Sequence, residues 1–104
     1  MTLEELNTTL SRVFPTAYWS FPEKEAPPMP YLVYFQTNTD NFGADNKVYH
    51  QRRRVSIELL TKTKDPAAEA AVEDALDTNE IFWNKTETHL DDEDAYEVIY
   101  DVEV

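Results

Sequence analysis

Glycine, cysteine and long apolar runs are scarce or absent in this chain of 104 residues, which contains one glycine and no cysteine. A single glycine excludes the glycine-rich loops that hold phosphate groups. Without cysteine, disulfides and thiolate chemistry are excluded as well. No run approaches the roughly 20 apolar residues that cross a bilayer, and the first residues lack a signal peptide's basic and apolar regions. We therefore expect a protein that is made in the cytoplasm and has no membrane partner.

Basic residues are also few, nine Lys/Arg against 21 Asp/Glu, which gives a net charge of −12. Residues 1–64 contain eight Lys/Arg and seven Asp/Glu, a balance of +1, whereas residues 65–104 contain one Lys and fourteen Asp/Glu, a balance of −13. Such a field repels nucleic acid phosphates and favours basic partners. It argues against ordinary DNA binding, although an acidic surface also serves solubility alone.

Two segments have the caps and periodicity of helices within what we expect to be a single domain, residues 1–104. Thr2 and Glu5 form a capping box, and apolar residues at helical spacing predict a helix over 3–13 that Pro15 ends. Residues 65–66, Asp-Pro, are the cap and first turn of a second helix. We expect this helix to pack through its small residues and to expose its acidic ones, the two sets being Ala67, Ala71, Val72, Ala75 and Leu76, and Glu69, Glu73, Asp74 and Asp77.

Five segments predict strands, namely residues 16–21, 31–36, 51–61, 81–90 and 95–104. The third is expected to be the central strand, because Val55, Ile57 and Leu59 alternate with polar residues and face a core. The last alternates most clearly, and its predicted core and outward residues are Tyr96, Val98, Tyr100, Val102 and Val104, and Glu97, Ile99, Asp101 and Glu103. The predicted fold is α+β, an antiparallel sheet of about five strands with two helices packed on it, in the order α-β-β-β-α-β-β.

Three connecting segments have distinct compositions. Residues 22–30 contain four prolines, which predict an extended crossing; a proline-rich ligand is the alternative, although no PxxP-plus-basic pattern is present. The apolar run at 31–36 indicates a strand that is covered on both faces or lies at an interface. Residues 40–49 contain the only glycine among Asp and Asn, which predicts a polar loop that projects from the body and serves assembly. Residues 91–94 predict an acidic turn.

Candidate chemistry is sparse. Neither His50 nor His89 has metal-ligand spacing, so we interpret both as structural. The acidic residues at 91–94 lack the spaced ligands and glycine of an EF-hand, which favours a solvated turn over a calcium site. The three serines lack a nucleophile motif. We expect neither catalytic residues nor a metal or cofactor, and hence a protein that is not an enzyme.

The one basic cluster is Arg52-Arg53-Arg54. One interpretation is a contact with DNA or an acidic partner. The other is a salt-bridged sheet face, since Arg52 and Arg54 alternate to the same side as Glu58. A third combines them, with the arginines of one subunit meeting the acidic C-terminal portion of the next.

Several stretches together resemble the tail-terminator or tail-completion proteins, also called head–tail joining proteins, of long-tailed phages and prophages of Gram-positive bacteria. The similar stretches span most of the chain in the same order, and they are residues 28–34, 40–49, 57–66, 72–76 and 96–100. The resemblance implies a non-catalytic hexameric ring that caps the tail tube and docks it to the filled head.

The function expected from this resemblance is a virion structural protein at the head–tail junction. Its partners would be further copies of itself, the major tail tube protein and the head-connector proteins, with DNA passing through without specific binding. Candidate interaction residues are Asp40, Asn41, Phe42, Gly43, Asp45, Asn46, Arg52, Arg54, Glu97, Asp101 and Glu103. The alternative from another class is an acidic DNA mimic that inhibits a host nucleic-acid-binding protein.

Overall fold

Two helices and five strands follow one another along the chain in the order α-β-β-β-α-β-β. The computed structural model describes residues 1–22, 25–44, 47–90 and 95–104, with side chains throughout these ranges except at 38–44 and 47–52. The elements are α1 Leu3–Ser11, β1 Thr16–Tyr18, β2 Tyr31–Ala44, β3 Lys47–Thr61, α2 Pro66–Thr78, β4 Trp83–Leu90 and β5 Ala95–Glu103.

The first helix begins at the predicted capping box. The Glu5 backbone N–H donates to the Thr2 hydroxyl at 3.1 Å, and the Thr2 backbone N–H donates to the Glu5 carboxylate at 3.1 Å. The bond from the Thr2 backbone stabilises the charged carboxylate and lowers the pKa of Glu5. Leu6 and Leu10 are completely buried, one helical turn apart, and fix which side of α1 faces the sheet.

The second helix also begins as predicted, with the Asp65 side chain accepting from the Ala68 N–H at 3.1 Å and Pro66 in its first turn. The predicted orientation of this helix is partly wrong. Its buried residues are Ala68, Glu69, Val72 and Leu76, whereas Ala67 is exposed. The prediction assumed that every carboxylate of this helix faces water. The Glu69 carboxylate is instead buried, and its ion pairs with two lysines offset the free-energy cost of burying its charge.

The sheet is mixed, which corrects the prediction of an antiparallel sheet. Its spatial order is β1-β2-β3-β5-β4, which differs from the order along the chain. β1 runs parallel to β2, whereas the other three pairings are antiparallel. A tight hairpin can join only antiparallel strands, and residues 19–30 provide the longer crossover that parallel neighbours need. The length of this connection permits the parallel pairing, and the alternation pattern of the strands does not reveal their relative direction.

The prediction of a polar loop at 40–49 is wrong for every described residue of that range. β2 continues to Ala44 and β3 begins at Lys47, and their pairing runs from Tyr31↔Leu60 to Ala44↔Lys47. Backbone hydrogen bonding between the two strands overrides the low strand propensity of Asp, Asn and Gly in this segment. Two irregularities, between Gln36 and Asn38 and between Phe42 and Gly43, accommodate the change in register. Asp45 and Asn46 lie outside the described residues.

Both helices pack on one face of the sheet and form the core with it. The predicted central strand is central, and Val55, Ile57 and Leu59 are at most 1% exposed. The C-terminal strand contributes Val98, Tyr100 and Val102 as predicted, while Tyr96 and Val104 are only partly buried at the margin. The core residues are Leu6, Leu10, Leu32, Tyr34, Val55, Ile57, Leu59, Ala68, Val72, Leu76, Ile81, Val98, Tyr100 and Val102.

Candidate interaction surface

The sheet face opposite the two helices is named the open face. Strand pairing places its side chains in three rows that run across β2, β3, β5 and β4. No described helix lies on this face, since the buried residues of α1 and α2 belong to the core on the other side. The rows are Tyr31–Leu60–Glu97–Thr88, Val33–Glu58–Ile99–Thr86 and Phe35–Ser56–Asp101–Asn84.

Four aromatic side chains form an aromatic patch at the β1–β2 side of the open face, namely Trp19, Phe21, Tyr31 and Phe35. The Trp19 and Phe35 rings meet edge to face at 5.2 Å, and the Phe21 and Tyr31 rings meet at 5.3 Å. Val33 is 7% exposed, although it points away from the core. The apolar run at 31–36 is therefore explained by the two faces of β2. One face is covered by the helices, and the other belongs to the aromatic patch and borders water.

Trp19 combines exposure with an unfavourable backbone conformation. Its side chain is 66% exposed, and its backbone φ is 71°, a left-handed value that bulky residues rarely adopt. A hydrogen bond of 2.8 Å from the Trp19 N–H to the Tyr34 carbonyl holds the chain against β2 at this point. Strain of this kind persists where the surroundings enforce it and is concentrated at functional positions.

Carboxylates occupy the middle of the open face, beside the aromatic patch. Glu58, Glu97 and Asp101 form this acidic stripe on β3 and β5. Burial, together with the nearby charge of Glu97, raises the pKa of Glu58. Among the described side chains, no cation lies within ion-pair distance of Glu58. The stripe therefore offers a position where a positive charge from outside would be stabilised.

One of the predicted arginines pairs within its own sheet. Arg54 Nε lies 3.4 Å from the Glu103 carboxylate in the neighbouring strand, and both side chains are substantially exposed, 52% and 38%. This pair agrees with the interpretation of a salt-bridged sheet face at this position. Arg52 belongs to β3, but its side chain is not described, so its role stays a prediction.

The strands β2 and β3 extend beyond the rest of the sheet as a two-stranded ribbon, named the hairpin arm, whose described residues are 38–44 and 47–52. β1 pairs with β2 only as far as Tyr34, and β5 pairs with β3 no farther than Arg54, with hydrogen bonds joining Arg53 to Val104. Among the described residues, the strands of the arm pair only with each other. The predicted residues Asp40, Asn41, Phe42 and Gly43 lie in this arm.

Three carboxylates of the C-terminal portion are bonded to lysines on the helix side. Lys64 Nζ lies 2.7 Å from Glu69 and also bonds Glu87, while Lys85 Nζ lies 3.1 Å from Glu69 and 3.0 Å from Glu73. Hydrogen bonds to these carboxylates raise the pKa of both lysines. This lysine–glutamate network joins α2 to β4 and holds the buried Glu69 carboxylate between two cations.

The remaining candidates provide no catalytic arrangement among the residues that the structure describes. The His89 ring lies 6.5 Å from the Tyr96 ring, and the described chain contains no group of three potential metal ligands. The side chain of His50 and all of residues 91–94 lie outside the described part. A cleft of about 950 Å³ opens at one end of the sheet beside Phe82, Arg54 and Glu103, with no buried titratable group directed into it. None of the described helices is long and apolar enough to cross a membrane.

The structure brings only some of the predicted interaction residues together. Glu97 and Asp101 share the open face, and Glu103 lies at its end, paired with Arg54. Sequence reasoning placed Glu58 on the same strand face as Arg52 and Arg54, but it did not identify the aromatic patch as part of that surface. The signal was partly present, since Trp19 and Phe21 alternate and residues 31–36 are continuously apolar, but only the parallel pairing of β1 with β2 brings these segments together.

Comparison with models of known protein families finds no match to this chain, and comparison with curated proteins finds no similar sequence.

Proposed function

We propose that this protein is a non-catalytic virion subunit that completes a phage tail and joins it to the head, acting as a hexameric ring at the head–tail junction. The observation that supports assembly is the open face, where the aromatic patch, in which Trp19 is exposed and the other three side chains are partly buried, borders an acidic stripe. Contiguous apolar surface with a polar border is typical of protein–protein contacts. The resemblance of five sequence stretches to tail-terminator proteins supports a tail-completing ring as the kind of assembly.

A closed ring of identical subunits needs two different complementary surfaces on each copy. The chain offers such a difference in charge, because residues 1–64 carry +1 and residues 65–104 carry −13. The further partners in this proposal are the major tail tube protein and the head-connector proteins. No metal or cofactor takes part.

DNA passes through the proposed ring without specific binding. Carboxylates repel phosphates, whereas a basic channel would hold DNA through the release of counterions. The carboxylates Glu97, Asp101 and Glu103 have two possible positions in a ring. They border the channel, or they face the arginines of the next copy.

The test of this proposal is electron microscopy of particles made with and without the protein. Inactivation of the gene in its phage is expected to give filled heads and tails that are not joined, and the protein supplied separately should restore infectious particles. Negative-stain images of the purified protein, alone and with tail tubes, should contain rings. Normal joined particles from the inactivated phage would contradict the proposal.

The alternative function, an acidic DNA mimic, has less support from the surface charge. A mimic needs carboxylates that are spread over an accessible surface. Three of them, Glu69, Glu73 and Glu87, are instead bonded to Lys64 and Lys85, whose two positive charges offset part of their charge. The carboxylates of the acidic stripe lie on the open face, next to aromatic residues rather than in an array that resembles DNA phosphates. A mimic would compete with DNA for a host DNA-binding protein and would form no rings.

A further inference from the structure

We infer that the edge strand β4 pairs antiparallel with β4 of a second copy of this chain, so that two five-stranded sheets become one sheet of ten strands. The sequence of β4 is complementary to itself, which makes a second copy the partner that fits. The inference goes beyond the proposed ring and does not depend on it. A two-fold contact uses one surface twice, whereas a ring contact uses two different surfaces.

β4 has the properties of an edge that accepts another strand. It is eight residues long and lies at the end of the sheet, and in the described part of the chain it pairs with β5 alone. Residues 84–89 are all exposed. Edge strands that resist pairing are short, bulged or interrupted by proline. β4 contains no proline, and its pairing with β5 has no shift in register. Its charged side chains, Lys85 and Glu87, are bonded to the lysine–glutamate network on the helix side.

The direction of the backbone groups determines which β4 residues can bond a further strand. Arg53 and Val104 exchange two backbone hydrogen bonds of 2.9 Å, so they form a hydrogen-bonded pair of the last residues that join β3 and β5. Such pairs alternate along antiparallel strands, so every second β5 residue counted from Val104 bonds β3, and the residues between them bond β4. The backbone of Thr86 therefore bonds β5, and the backbone N–H and C=O groups of Lys85 and Glu87 point away from the sheet.

Charge selects one register for two copies of β4. Outward-pointing residues of the two copies must lie opposite each other, which places the two-fold axis of a long overlap at residue 85, 86 or 87. An axis at Lys85 sets lysine opposite lysine, and an axis at Glu87 sets glutamate opposite glutamate. An axis at Thr86 instead sets Lys85 of each copy opposite Glu87 of the other. This register avoids the repulsion of like charges, while both side chains keep the bonds within their own copy.

The other pairs of this register are also complementary. They set Thr86 opposite Thr86, Asn84 opposite Thr88, Trp83 opposite His89, and Phe82, directly before β4, opposite Leu90. Thr–Thr pairs and aromatic pairs stabilise neighbouring strands. Phe82 is the most exposed large apolar side chain among the described residues, at 80%, and Leu90 of the second copy would cover it. The contact therefore gives a reason for an exposed aromatic residue that lies outside the aromatic patch.

The first test uses the absence of cysteine from this chain. In Thr86→Cys the two new thiols lie opposite each other in a pair without hydrogen bonds, where the Cα atoms are about 4.5 Å apart, a distance that suits a disulfide. Asn84→Cys and Thr88→Cys are the matched controls on the same face of β4. In each control the two thiols are four positions apart along the strands, roughly 13 Å, which is too far for a disulfide.

Mild oxidation with diamide should convert Thr86→Cys to a disulfide-linked dimer, whereas each control alone should stay monomeric on a nonreducing gel. A mixture of Asn84→Cys and Thr88→Cys should crosslink, because residue 84 of one copy lies opposite residue 88 of the other. This pattern is specific to a two-fold axis at Thr86. Equal crosslinking of the three single variants, or none of Thr86→Cys, would overturn the inference.

Sedimentation tests the contact without a crosslink. The wild-type protein should form dimers, and Glu87→Pro should raise the dissociation constant at least about tenfold above that of Glu87→Ala. Both variants lose the carboxylate that bonds Lys64, but only proline removes the outward N–H, and it leaves the bonds to β5 in place. A wild-type protein that stays monomeric at about 1 mM, or equal dissociation constants for the two variants, would contradict pairing through β4.

Discussion

The Tyr100 hydroxyl donates a hydrogen bond of 2.7 Å to the Glu73 carboxylate, which connects the middle of the core to the surface of α2. Tyr100 is completely buried, whereas the Glu73 side chain is 19% exposed and also accepts a bond of 3.0 Å from Lys85. Burial, followed by the bond to Glu73, raises the pKa of Tyr100. One tyrosine thus fills the core with its ring and orients the lysine–glutamate network with its hydroxyl.

We expect Tyr100→Phe to lower the free energy of unfolding by about 1.5–3 kcal/mol, because a hydrogen bond to a charged group is lost while the ring is kept. Urea unfolding followed by tryptophan fluorescence measures this change. Tyr18→Phe is the control, since Tyr18 is 48% exposed and its hydroxyl accepts only a long bond of 3.4 Å from the Gln36 N–H. Equal losses for the two variants would show that the bond to Glu73 contributes no specific stability.

The two faces of β5 should respond differently to truncation. Tyr100→Ala should cost on the order of 2–4 kcal/mol because it leaves a cavity in the core, whereas Asp101→Ala should cost under about 0.5 kcal/mol. Tyr100 is completely buried and Asp101 is exposed in the neighbouring position. Chemical denaturation of both variants checks the expectation. Similar costs would mean that the face assignment of this strand is wrong.

The buried Glu69 carboxylate should destabilise the folded protein when both lysines that pair with it are removed. The double variant Lys64→Met, Lys85→Met leaves a buried carboxylate without a cation, and a loss of about 3 kcal/mol or more is expected. Adding Glu69→Leu to the double variant should recover most of this loss, because the buried charge is gone. Thermal and urea unfolding of the double and triple variants measure the difference. A triple variant no more stable than the double one would contradict this explanation.

Glu58→Gln should stabilise the isolated fold at neutral pH. The pKa of Glu58 is raised, so its ionised form disfavours folding above that pKa, and this penalty disappears as the pH falls below the ordinary value of 4.5. The expected gain is below about 1 kcal/mol, because the carboxylate is partly exposed. The free energies of unfolding of Glu58→Gln and the wild type should differ at pH 7 and should converge as the pH falls to the ordinary pKa of the carboxyl group. Asp74→Asn, at an exposed position on α2, is the control for the loss of one negative charge and should change the free energy of unfolding at pH 7 by less than about 0.5 kcal/mol.

Reversing the charge of Glu97, Asp101 and Glu103 to Lys together separates the two positions of these carboxylates in a ring. If they meet the arginines of the next copy, the triple variant should lose self-association, since lysines would face arginines. If they border the channel, rings should still form, but particles should fail to pass DNA. Sedimentation and particle infectivity distinguish the two outcomes. Normal, infectious particles from the triple variant would remove support from both.

The sequence alone determined the elements with strong local signals. The capping box at Thr2 and Glu5, the start of α2 at Asp65, and the alternation in β3 and β5 predicted structures that the fold contains. These features depend on neighbours within a few residues or on a period of two. A helix cap and the alternation of side chains along a strand depend on local interactions, which are the same wherever the segment lies in a fold.

The tertiary structure decided what depends on neighbours far along the chain. Turn-forming residues at 40–44 became part of a strand because β3 supplied hydrogen-bond partners for their backbone. Glu69 became buried because Lys64 and Lys85 reach it from other elements. Trp19 came to lie beside Phe35 because β1 pairs with β2, and Phe35 came to lie on the same face as Glu58 because β2 pairs with β3. Composition specifies which groups need partners, whereas strand pairing determines which partners they obtain.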